Sequence, residues 1–425
     1  MLADMPQFAS APSRTAWLVL ALIALANFGN FYVYDSIGPV ADLLQRQRGF
    51  SDTQIGLLNA IYSLPNVVLL LIGGLMVDRL GAARMMLWTA VLCFAGALLT
   101  AMSPGFDGMA AGRLLFGIGA ETFNICTLAA IVKYFSGRHL AFAMGFSIAF
   151  GRAGAFSVDL SPTWIASAYA EGWQAPLVIA ALFAGLSLVM ATTYRWLDRG
   201  KPPVRGVENS VTVPRKLASD WRHFGPAYWY LLALCALWYA VIFAFRSTFS
   251  IKYFQHVHGL DLAAAGAING YVFLAALVTT PLFGWLCDRI GRYAPLLAFG
   301  ALLLPFAIAS LMISDWSLWI GTALIGVSFS LVPAVMWPLV ARLVPQDRLG
   351  TALAIMWVML NAAIAGANLV AGMLNDDFGA SAGNPGGYRP MMLFFLASGA
   401  LGFCFALALW LNAGRQRHEA AMHAR

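Results

Sequence analysis

Charge is scarce in this chain of 425 residues. Only 11% are Asp, Glu, Lys or Arg, against roughly 25% in a soluble protein, while 60% are hydrophobic and the mean hydropathy is +0.74. That deficit excludes a soluble globular enzyme and leaves a polytopic membrane protein. Fingerprints of bound chemistry are missing too. No GxSxG, HExxH, P-loop or dinucleotide motif stands in its proper context, so no cofactor is expected and the chain is not read as an enzyme. The five cysteines, Cys93, Cys126, Cys235, Cys287 and Cys404, contain no CxxC pair and read as small core residues. None of the six histidines lies deep in an apolar run, and His256 and His258 read as outer-loop residues, so no metal is expected. The net charge of +7 reflects basic loops on one side of a membrane rather than a nucleic-acid partner.

What is present is a long series of apolar runs. Those near Ala16–Val40, Thr53–Val77, Arg84–Met102, Met109–Tyr134, Leu140–Tyr169 and Ala175–Trp196 are followed, after a polar stretch, by Tyr228–Phe254, Leu262–Cys287, Tyr293–Ile313, Leu318–Ala341, Thr351–Leu374 and Met391–Leu411. Each is close to the ~20 residues that cross a bilayer as a helix. The first continues without a small-residue cleavage pattern and reads as a retained span, not a signal peptide. The expected architecture is all-α: twelve transmembrane helices in two pseudo-symmetric six-helix bundles. These are assigned to residues 14–197 and 226–412, with tails at 1–13 and 413–425 and a cytoplasmic linker at 198–225. With both termini placed inside, Arg14, Arg79, Arg84, Lys133, Arg138, Arg195, Arg289, Arg292, Arg342 and Arg348, together with the linker and tail cations, share one side. Only Arg46, Arg48, Lys252 and Arg389 fall on the other. This asymmetry supports cytoplasmic termini, and short loops with an Ala/Arg-rich composition suggest a bacterial inner membrane.

An internal repeat supports the two halves. Gly74, Asp78, Arg79 and Gly81 follow the second span at the same offsets as Gly284, Asp288, Arg289 and Gly291 after the eighth. This duplicated G-x-x-x-D-R-x-G pattern resembles the loop signature of the major facilitator superfamily, as does Arg113-Leu-Leu-Phe-Gly117-Ile-Gly119 in the fourth span. The role implied is gating: the carboxylate and guanidinium can bond to helix ends in one state and release them in another.

An ionisable side chain inside the hydrocarbon costs on the order of 3 kcal/mol and should face a partner or a cavity. Few such groups exist: Asp35, Arg113, Glu121, Arg152, Asp159 and Arg246. Glu121 lies twelve residues into the fourth span after Met109, roughly 18 Å along it. Arg152 sits at a similar depth in the fifth span, flanked by Gly151 and Gly154, which admit close approach of a backbone or a ligand. Asp159 follows on the same face, about 10 Å outward, where it can pair with Arg152 through an intermediate group or carry a proton. Arg246 lies among aromatics in the seventh span. Polar stripes at Asn27, Asn30 and Tyr34, at Asn59, Tyr62 and Asn66, and at Asn361 and Asn368 can line a water-filled path or bond helix to helix.

Longer strings resemble one branch of the superfamily, the lysosomal dipeptide transporters and their prokaryotic relatives. They include Tyr32-Val-Tyr34-Asp35, Tyr62-Ser-Leu-Pro65-Asn66, Gly112 to Glu121, Phe150-Gly-Arg152-Ala-Gly154, Ala267-Ile-Asn269, Trp337-Pro338 and Leu349-Gly350-Thr351-Ala352. The resemblance implies a secondary transporter of dipeptides in which Glu121 receives the peptide's amino terminus and Arg152 its carboxylate. Arg246, Asp35, Tyr62, Asn66 and Asn361 are expected around the substrate. Coupling can be absent, giving a uniporter, or proton-driven through Glu121, Asp159 or Asp35. A small organic anion held between Arg152 and Arg246 is the alternative, and a non-transporting membrane scaffold is a third reading that the repeated gating loops disfavour. The partners expected are the small-molecule substrate, lipid and protons, and the carrier is expected to be a monomer.

Overall fold

The computed structural model describes residues 13–65, 76, 77, 79–199, 224–291, 293–313 and 317–423. The chain folds into α-helices throughout, and eleven segments among the described residues are long and apolar enough to cross a membrane. In the first half α1 (Arg14–Tyr34) with α2 (Ile37–Arg48) forms one of these, the shorter α3 (Asp52–Ser63) follows, and α4 (Ala82–Met102), α5 (Phe106–Tyr134), α6 (Gly137–Asp159) and α7 (Gln174–Leu197) form four more. Here α3 covers the start of the run expected to form the second crossing. In the second half α8 (Pro226–Ala244) passes through a π-helical turn (Phe245–Phe249) into α9 (Ser250–His258). There follow α10 (Leu262–Ile290), α11 (Tyr293–Leu311), α12 (Leu318–Leu343), α13 (Leu349–Asp377) and α14 (Arg389–His423). The last helix thus runs through most of the segment read as a tail from 413.

The fold is two six-helix bundles side by side, as the duplicated motif required. One apolar core gathers buried side chains from Phe224 to Leu409, and two others lie within the first half. Lipid supplies no hydrophobic drive between helices, so close packing and satisfied backbone groups hold each bundle. Helix starts are capped locally. Ser51 and Gln54 form a reciprocal capping box on α3, and Asp261 accepts the Ala264 N–H at the start of α10. Of the repeated motif, Gly81 and Gly291 adopt φ of +85° and +62°, the left-handed turn that glycine enters without steric cost. Gly74 and Asp78 lie outside the described residues.

The described contacts that join the bundles are densest where odd-numbered spans end and even-numbered spans begin, which is the end of the molecule remote from both termini. There α2 meets α9, α3 meets α13, and α6 meets α10. The structure is closed at that end.

Candidate functional site

The first span breaks at Asp35 and Ser36, and this break organises the centre of the first half. Breaking a helix in lipid frees carbonyls that need donors. Arg113, 1% exposed on α5, supplies them: it donates to the carbonyls of Val33 and Tyr34 at 3.1 Å each, to that of Leu58 at 3.2 Å and to the Asn59 side chain at 2.7 Å. Its guanidinium also faces the rings of Tyr62 and Phe116, at 5.6 and 5.5 Å. One buried cation therefore fixes the position of Tyr34, Asn59 and Tyr62.

Glu121 stands two helical turns further along α5, half-buried. Tyr62 donates its hydroxyl to Glu121 Oε1 at 3.2 Å, and no cation among the described residues pairs with this carboxylate. From Tyr62 a chain of aromatic rings leads across the molecule. Tyr34 lies edge-on to Tyr62 at 4.6 Å, Phe243 of the other half lies edge-on to Tyr34 at 6.1 Å, and Phe329 lies 6.1 Å beyond Phe243. The chain ends at Arg152, whose guanidinium is 5.3 Å from the Phe329 ring centroid.

Arg152 on α6 is likewise half-buried. It crosses to the second half, where Nη1 donates to Thr280 Oγ1 at 2.5 Å and to the Ala276 carbonyl at 3.3 Å. No carboxylate among the described residues pairs with it. The backbone that approaches beside it belongs to α1: a side chain in place of Gly154 would run into the Phe28 carbonyl. The site thus presents a carboxylate and a guanidinium on neighbouring helices, each without an opposite charge among the described residues, at the two ends of an aromatic arch.

Arg246 and Asp35, expected around the substrate, are turned to each other in this structure. Arg246 donates to Asp35 Oδ2 at 2.5 Å and to Asp159 Oδ2, with all three side chains at most 3% exposed. Its guanidinium lies 3.9 Å from the centroid of the Phe273 ring. Asp159 therefore pairs with Arg246 and not with Arg152. The physical reason is the π-helical turn, which frees backbone carbonyls. That of Arg246 accepts from Ser250 at 2.8 Å and Asn269 at 3.1 Å, and the adjoining Thr248 accepts from Asn59 of the first half at 2.7 Å. The turn is anchored at the junction, and its arginine is anchored with it.

Three further inter-half contacts surround this triad, and periodicity along one helix could not have found them. Lys252 pairs with Asp52, both at most 1% exposed. Asp376 accepts the Asp52 and Thr53 N–H groups at 2.8 Å each, capping α3 from the opposite bundle. His256 is helical and buried, not a loop residue. Its Nε2 lies 2.9 Å from Asp42 Oδ1 and its Nδ1 2.7 Å from the Tyr388 hydroxyl. Arg246, Lys252 and His256 all come from one segment of the second half, and the carboxylates that meet them from the first. The i, i+4 spacing of Lys252 and His256 was the one available signal. Among the other expected site residues, Asn361 is 5% exposed and donates to the Trp357 carbonyl at 2.9 Å, while Asn66 lies outside the described residues.

Comparison with known proteins agrees with this architecture. The chain is 29% identical to the lysosomal dipeptide transporter MFSD1 of Homo sapiens, over 94% of this chain and 87% of that one. It is 24% identical to the probable sulfoacetate transporter SauU of Cupriavidus necator, over 94% of each. Its fold matches the crystal structure of the peptide transporter POT in complex with alafosfalin at a TM-score of 0.75, with 16% identity over 96% of each chain. The description of the Major Facilitator Superfamily matches residues 23–368. Two six-helix bundles, a duplicated loop motif and that match together establish the chain as a multi-pass membrane transporter belonging to the Major Facilitator Superfamily.

Proposed function

We propose that this transporter carries dipeptides or similarly small zwitterionic peptides by alternating access. The observation that carries the reading is the uncompensated pair: Glu121 and Arg152, opposite in charge, have no opposite charge paired with them among the described residues and face one arch of rings. Leaving both signs unpaired within a membrane is costly, and a ligand bearing an ammonium at one end and a carboxylate at the other removes the cost at both. The ammonium is assigned to Glu121 beside Tyr62, and the carboxylate to Arg152, whose planar fork suits bidentate binding. Aromatic faces between them contact the peptide body without demanding one side chain. The relative named for dipeptide transport supports a dipeptide as the cargo.

Transport is assigned to rocking of the halves about this site, with the two glycine-flanked Asp-Arg loops as gates at the terminal end. Coupling is assigned to the Asp35–Arg246–Asp159 triad, which holds two carboxylates for one guanidinium and so has room for a proton. A pH gradient that drives no accumulation in proteoliposomes would assign uniport instead. We place the carrier as a monomer in a bacterial inner membrane with both termini cytoplasmic.

The test is dipeptide uptake into proteoliposomes. Glu121→Gln and Arg152→Ala are each expected to abolish uptake at normal expression and folding, and unchanged uptake in either removes the assignment. The organic-anion reading, to which the probable sulfoacetate transporter lends some support, retains Arg152 as its anchor but loses Arg246, which two carboxylates already occupy. Uptake of small organic anions in place of dipeptides would select it.

A further inference from the structure

The contact between Arg152 and the second half assigns a role to a residue that neither the motifs nor the charge pattern indicated. Thr280 lies on α10, one turn after Ala276. Its hydroxyl is 2.6 Å from the Ala276 carbonyl, which accepts its single proton. With that proton directed along the helix, the oxygen lone pairs are left to accept from outside, and Arg152 Nη1 donates to them at 2.5 Å. Behind this contact Ser330 on α12 lies 3.1 Å from Thr280 Oγ1 and 3.1 Å from the Ala276 carbonyl, and Thr279 Oγ1 lies 2.9 Å from Ser330. Three hydroxyls from two helices of the second half thus form a fixed polar seat in otherwise apolar surroundings.

A guanidinium has five N–H donors. The seat uses Nη1, and the structure gives Nη2 and Nε of Arg152 no partner among the described residues. One corner of the fork is held while another edge remains available. We propose that Thr280 is the positioning residue for substrate carboxylate recognition: it fixes Arg152 across the interface so that its remaining N–H groups meet a carboxylate already oriented. This rests on the reading of Arg152 as the carboxylate anchor. It adds that recognition depends on a second-half residue that the substrate itself need not touch. The anchor is then shared between the bundles in this conformation, so carboxylate binding favours the state in which α6 and α10 are joined.

The experiment measures binding of dialanine and of its C-terminal amide by purified full-length protein, using wild type, Thr280→Val and Thr280→Ser. Losing an oriented charge-assisted contact is expected to weaken free dialanine about tenfold in Thr280→Val. The amide, which lacks the carboxylate, should bind Thr280→Val as it binds wild type, and its binding also reports an intact fold. Thr280→Ser, which keeps the acceptor, should restore the free peptide's affinity. Equal weakening of peptide and amide, or no weakening of either, overturns the role of Thr280 while leaving the proposed function standing. Failure of wild type to bind either compound overturns both.

Discussion

Two regions of this transporter use the same side chains in opposite ways. At the closed end, Arg246, Lys252 and His256 of the second half each meet a carboxylate of the first. At the centre, Glu121 and Arg152 meet none among the described residues. The first arrangement holds two bundles in one relation, and the second leaves two charges waiting for a ligand. Burial alone does not separate a charge held between the bundles from one open to a ligand, whereas pairing does. A paired buried charge is costly to expose, and an unpaired one is costly until something binds.

The comparison makes a graded set of expectations for thermal unfolding in detergent. Arg246→Ala leaves Asp35 and Asp159 facing each other without a cation and should destabilise by about 3–5 kcal/mol, the largest effect in the set. An unchanged unfolding temperature would erase the distinction between the regions. Lys252→Met should fall slightly short of that, and adding Asp52→Asn to it should recover a substantial part of the loss, because the second change removes the stranded charge. If the double variant is worse than the single, the two residues do not act as a pair. Asp376→Ala removes a cap that one bundle places on a helix of the other, and about 1 kcal/mol is expected. Arg152→Ala, which gives up the contact to Thr280, should cost about 1 kcal/mol, and Glu121→Gln should change stability least, although these are the variants expected to stop transport. A destabilisation by either comparable to that of Arg246→Ala would place the central charges among the structural ones.

How much of this was legible in the sequence follows from the range of each signal. Twelve apolar runs and the repeated Gly-Asp-Arg-Gly spacing are local patterns: eleven of the runs form membrane-length helices among the described residues, and Gly81 and Gly291 of the motif both turn with positive φ. Glu121 and Arg152 could be singled out because a charge deep in an apolar run is conspicuous by itself. Arg246 and Asp35 were conspicuous for the same reason, yet their pairing could not be seen. Each partner of the other lies 211 residues away in the chain, and no periodicity spans the two halves. Lys252, Asp52 and Asp42 were passed over because charges near the ends of spans look like loop residues until the ends are packed together. His256 was misplaced on the same ground. Thr280 gave no signal at all: a threonine in a membrane helix usually bonds to its own backbone, and this one does so while also holding an arginine from the other bundle.

The central claim is that opposite termini of one small peptide satisfy Glu121 and Arg152 together. Ligand-induced thermal stabilisation of the wild-type protein by dialanine, compared with its N-acetylated and C-amidated forms, tests it most directly, since a ligand that binds the folded state raises its stability by mass action. The account predicts clear stabilisation by the free zwitterion and a marked loss with either terminus blocked. Equal stabilisation by all three compounds, or stabilisation by the N-acetylated form alone, would contradict it.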